Sequence, residues 1–123
     1  MKTENLISIE RYKDIVSIRI DEKYLEHFYS LFKKRENVGI IDNDMKLQFM
    51  FTEKSEINIT NLHIVISIDE KRFYAIQELL EDYIDSDRTF PLDISLELLE
   101  FSIQPIEIVD VVFECGNFIE QNQ

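Results

Sequence analysis

Hydrophobic and polar residues alternate along Val16-Ser17-Ile18-Arg19-Ile20, the two-residue period of a strand with one buried face. At Asp21 the period changes. Leu25, Phe28, Tyr29 and Phe32 recur three and four apart, which is one apolar stripe of a helix. An aspartate at such a junction caps the helix, because its carboxylate accepts hydrogen bonds from the free amides of the first turn. Glu22 adds negative charge at the same positive end. The unit then recurs: Ile64-Val65-Ile66-Ser67-Ile68-Asp69-Glu70-Lys71 aligns with Val16-Ser17-Ile18-Arg19-Ile20-Asp21-Glu22-Lys23, and the match carries through Leu31 and Leu79. Asp69 caps a second helix whose stripe is Phe73, Ile76, Leu80, Tyr83 and Ile84.

Between the two units Asn37 and Gly39 stop the first helix, and Asp42-Asn43-Asp44 forms a turn. Alternation from Lys46 to Thr52 predicts a strand. Another runs from Leu62 to Ile68, joined to it by the polar stretch Glu53 to Thr60, in which Ile57 and Ile59 extend one strand or the other. The pair is expected to form a hairpin. After the second helix, punctuated by Pro91, Leu92 to Ile103 fits both a bulged strand and a short helix; strand is the favoured reading. Ile106 to Cys115 is rich in β-branched residues and alternates, so it reads as a strand, and Leu6 to Ile9 supplies an extra one. The order strand, helix, strand, strand, helix, strand predicts an α+β fold. Its expected form is a mostly antiparallel sheet with two helices, a ferredoxin-like βαββαβ core with extra strands at the termini. Such a fold hosts unrelated activities, so function has to come from sites.

Size and composition add bounds. A chain of 123 residues, 45% hydrophobic and 31% charged, is expected to be a single domain over residues 1–123, with a polar tail at 116–123. No apolar run approaches the roughly 20 residues of a membrane-spanning helix. Met1-Lys2-Thr3-Glu4-Asn5 lacks the basic-then-apolar layout of a signal peptide, and Cys115 is the lone cysteine. The expectation is a cytoplasmic protein with no membrane contact.

Charge changes the picture most. Residues 1–80 carry 14 acidic and 12 basic side chains, whereas residues 81–123 carry 11 acidic and 1 basic, Arg88, so nearly all of the net −12 lies after Leu80. A surface serving solubility alone usually mixes both signs. A field this lopsided speeds encounter with basic surfaces and repels polyanions, which argues against direct nucleic-acid binding. The candidate partner-binding residues are Glu78, Glu81, Asp82, Asp85, Asp87, Asp93, Glu97 and Glu100. Tyr74 joins them because it falls off the second helix's stripe, and Phe118 because it is apolar among carboxylates. Phe90 and Phe101 lie in the same acidic third. Tyr12, Tyr24, Tyr29 and Tyr83 read as half-buried flanks of the core.

Catalytic constellations are absent from the pattern. Gly39 and Gly116 are too few and too far apart to cradle a phosphate. His27 and His63 have no further ligand at zinc spacing, and Asp42-x-Asp44 lacks the oxygens and the Gly of a calcium loop. Cys115 sits in an apolar strand, where a thiol is inert. No catalytic, cofactor-binding or metal residue is assigned, and no enzyme is expected. What remains is a binding protein with a basic protein partner, a toxin or nuclease. Size, acidity and lack of catalytic groups resemble those of a bacterial immunity protein that occludes a nuclease-type toxin's active site. Two alternatives stay open: a phage anti-defence protein whose carboxylates mimic nucleic-acid phosphates, and a homodimeric assembly subunit. Oligomeric state is left undetermined.

Overall fold

A computed structural model describes residues 7–35, 38–42, 45–61, 63–86 and 91–116. The elements follow in the order β1 (Ile7–Tyr12), β2 (Ile15–Asp21), α1 (Glu22–Lys33), β3 (Val38–Asp42), β4 (Met45–Phe51), β5 (Glu56–Ile59), β6 (His63–Ile68), α2 (Glu70–Asp85), β7 (Leu92–Ser95), β8 (Ser102–Gln104) and β9 (Asp110–Gly116). The chain is α+β with two helices. The strands build two sheets rather than one, in the orders β1-β2-β9-β7 and β3-β4-β6-β5-β8.

Both sheets are mixed, which corrects the mostly antiparallel expectation. In the first, β2 runs parallel to β9, with Ile18 opposite Phe113; in the second, β4 runs parallel to β6, with Phe49 opposite Ile66. The strand at Lys46 to Thr52 therefore does not make a hairpin with the strand at Leu62 to Ile68. The antiparallel partner of β6 is β5, which takes up Ile57 and Ile59. A ferredoxin-like plan sets the two strands that precede the helices in one sheet. Here β2 and β6 fall in different sheets, and that plan is not clearly adopted.

The repeat explains the arrangement. Shifted by 48 residues, β1, β2 and α1 coincide with β5, β6 and α2. Each half of the chain thus contributes a hairpin before its helix to one sheet and a strand pair after its helix to the other. The β3-β4 pair completes the sheet begun by β5-β6, and the antiparallel β7-β9 pair completes the sheet begun by β1-β2. The halves are interleaved. Residues 96–109, lying between β7 and β9 and including β8, have no counterpart between β3 and β4.

Both helices begin as their caps dictate: the Lys23 amide donates to Asp21 at 3.0 Å and the Arg72 amide to Asp69 at 2.8 Å. Their stripes bury Leu25, Phe28 and Phe32 on α1 and Phe73, Ile76, Leu80 and Tyr83 on α2. The Phe32 and Phe73 rings stack between the helices at 5.0 Å, and Phe49 stacks on Phe113 between the sheets at 5.5 Å. One core unites all layers. Tyr29 on α1 meets Glu81 on α2, while Arg35 just past α1 approaches Glu70 at 3.8 Å, so the helices lie antiparallel.

Local departures have local causes. Leu92 to Ile103 is neither one strand nor one helix: β7 gives way at Leu96 to a turn closed by Glu100 at φ 67°, and β8 follows. The spacing of Leu96 and Leu99 reflects that turn folding back on the core, with Leu96 buried and Leu99 packed at its edge. Residues 105–109 are loop, so the last strand starts at Asp110, and it runs through Gly116. α1 already ends at Lys33, β3 takes up Val38–Asp42 where Gly39 was expected to stop the helix, and β1 continues to Tyr12.

Candidate functional site

Apart from Glu107, the described carboxylates from Glu78 onward separate into three groups. On α2, Glu78, Glu81, Asp82 and Asp85 are exposed along one face. Neighbours there are three or four apart, so like charges sit side by side, an arrangement that weakens a helix by a few tenths of a kcal/mol for each pair. The last turn has no basic residue, and the carboxylates crowd the negative end of the helix dipole. Glu81 accepts hydrogen bonds from the Tyr29 hydroxyl and, at 3.2 Å, from the Gln77 amide. Burial and then Glu81 push the Tyr29 hydroxyl's pKa up.

A second group lies on the outer face of the first sheet. Asp93 is opposite Glu114, and Glu114 is opposite Arg19, whose Nε donates to it at 2.9 Å. Arg19 also reaches Glu10 at 3.6 Å. Ile94, one position from Asp93, is buried on the face that packs against α2. Asp93 therefore points away from the helix carboxylates, and the two groups do not form one surface.

The third group holds the turn after β7. Arg72 donates from Nε to the Leu99 carbonyl at 3.1 Å, from Nη1 to Asp69 at 3.2 Å and from Nη2 to Glu100 at 2.9 Å. Asp110 accepts from the Ser95 hydroxyl at 2.7 Å and the Glu97 amide at 3.1 Å. Glu100 and Asp110 are structural contacts of the 96–100 turn, while the Glu97 side chain is exposed.

Tyr74 is 53% exposed, but its neighbour is a cation: the Arg35 guanidinium lies 4.4 Å from the Phe73 ring centroid and 5.4 Å from that of Tyr74. The helix pair thus presents a basic end, Lys33, Lys34 and Arg35, and an acidic end on the later turns of α2. Phe101, which lies in the acidic third, is buried at 5% exposure. Asp87, Phe90, Arg88 and Phe118 lie outside the described residues, as does Asp44.

Other candidates find ordinary surroundings. Burial, with Asp93 and Glu114 nearby, drives the Cys115 thiol up to about 12. His27 is exposed on α1 with its ring edge-on to Tyr24, and His63 contacts the Gln48 side chain at 3.2 Å. Among the described residues no three His, Cys, Asp or Glu side chains gather as a ligand set, and no helix is long and apolar enough to cross a membrane. Tyr24 and Tyr83 are buried and Tyr12 is exposed. Reading the sequence alone missed Arg11 and Glu107, which rim a cleft between the β1-β2 and β5-β6 hairpins. The available signal was Arg11 itself, a charge at a core-facing position of β1.

No protein-family model matches the sequence, and no curated protein matches it.

Proposed function

We propose that this protein is a small acidic inhibitor that binds a basic protein partner through the exposed face of α2. The partner class is a nuclease-type toxin whose active site the protein covers, in the manner of a bacterial immunity protein. One observation carries this reading: Glu78, Glu81, Asp82 and Asp85 share a face at the negative end of their helix, with no cation in the last turn to offset them. That arrangement works against the helix's own stability, and a basic partner is what reverses its sign. A phage-type nucleic-acid mimic would use the same face against a nuclease channel. The homodimer reading draws on a different feature, the basic end at Lys33, Lys34 and Arg35, which can face the acidic end of a second copy across a two-fold axis.

The test is a pull-down from the native host with the natural chain and with a variant in which Glu78, Glu81, Asp82 and Asp85 are all lysine. A basic protein retained by the first and lost by the second, with the fold unchanged by circular dichroism, supports the reading. Retention by both removes the α2 face as the site. A stable dimer of the natural chain by light scattering, dispersed by the same variant, transfers the face to self-association.

A further inference from the structure

A cleft of about 310 Å³ opens between the β1-β2 hairpin and the β5-β6 hairpin, walled by Ile9, Val16, Ile59 and Ile64. Because β2 and β6 run into the helix caps, Val16 and Ile64, near the starts of those strands, place the cleft at the strand ends opposite the caps. Its walls are equivalent elements of the repeat: Val16 matches Ile64, and Arg11 matches Ile59.

That equivalence isolates one residue. Of the positions in these strands that line the cleft, Ile9, Val16, Ile59 and Ile64 are isoleucine or valine, and Arg11 alone is charged. Its Nε donates to the Lys13 carbonyl at 3.3 Å, and among the described residues no carboxylate pairs with its guanidinium. Glu107, which lines the same cleft, is exposed and also without a cation among the described residues. The Thr60 hydroxyl, bonded to the His63 carbonyl at 3.2 Å, leaves its oxygen able to accept at the same rim.

A cleft with aliphatic walls, lined also by Thr60, Asn61 and Pro105, that carries one cation and one anion without an ion-pair partner among the described residues is complementary to a small zwitterion with an apolar body. We propose that the cleft binds a free α-amino acid with a branched aliphatic side chain. The Arg11 guanidinium takes the carboxylate, Glu107 takes the ammonium group, and the isoleucine and valine walls take the side chain. The volume is near the lower end of the range for ligand pockets, roughly 300 to 1,000 Å³, which restricts the ligand to this size. In a chain of net charge −12 a zwitterion enters without the repulsion a simple anion meets. This inference is independent of the role proposed for α2.

Isothermal titration of the full chain with leucine, isocaproate and isoamylamine tests it, since the last two lack the ammonium and the carboxylate respectively. The expected result is a leucine Kd below about 1 mM, with each analogue at least about tenfold weaker. R11Q and E107Q, both on the exposed rim, are each expected to weaken leucine by about tenfold while circular dichroism stays unchanged. Absence of leucine binding at about 1 mM overturns the proposal. So does isocaproate binding as well as leucine, or leucine binding that R11Q leaves intact.

Discussion

Asp69 joins two tasks in one carboxylate, capping α2 through the Arg72 amide and anchoring the Arg72 side chain that holds the turn after β7. Burial works to raise its pKa, but the Arg72 amide, the Ser55 hydroxyl and the Arg72 guanidinium outweigh it and hold the carboxyl below the ordinary value. A carboxylate lowered on folding contributes stability that is present above its unfolded pKa and lost as pH falls through the folded one. Asp69→Ala is expected to lower unfolding free energy by about 1 kcal/mol in urea titrations at neutral pH. Asp69→Asn keeps a cap acceptor, so it should lose less at neutral pH and show a shallower acid limb below the carboxylate range. Both caps were legible in the sequence, because a cap is a local event written in one residue and the period after it. The place of Phe101 was not: it lies among carboxylates, and its burial depends on β7, the following turn and β8 folding together.

At the scale of elements, α2 sets its cap and its later turns against each other. Its cap Asp69 and first-turn Glu70 lie where the helix dipole favours them, and its last turns place Asp82 and Asp85 where it does not. Replacing both with lysine is expected to raise the thermal midpoint by about 2 to 4 °C. The same change should weaken partner binding, and calorimetry with a pull-down on one preparation measures both. Stabilisation with full binding would mean that these two carboxylates serve neither the helix nor a partner. The exposed face of α2 could be read from period alone, Tyr74 included. That Asp93 lies on another face could not, since it follows from which side of β7 packs inward. The parallel pairing of β4 with β6 was hidden for a similar reason: alternation gives a strand its faces but not its neighbour.

For the whole molecule, the order of helices and most strands followed from the sequence, while their division between two sheets is a long-range choice that no local pattern encodes. The interleaving has a direct mechanical outcome. Neither half can close a sheet alone, because β3-β4 lacks β6 and β7-β9 lacks β2. Separate chains cut in the exposed link at Thr52–Ser55 are expected to be unfolded by circular dichroism, and to regain native structure when mixed in equal amounts. A half that folds unaided would refute the interleaved core. The same architecture bears on symmetry. Two identical copies of one half could build this exchange only as a symmetric pair, and a symmetric pair displays each surface feature twice. Within one chain the two halves need not match, so one carries most of the negative charge and the other has Arg11 where its counterpart has Ile59.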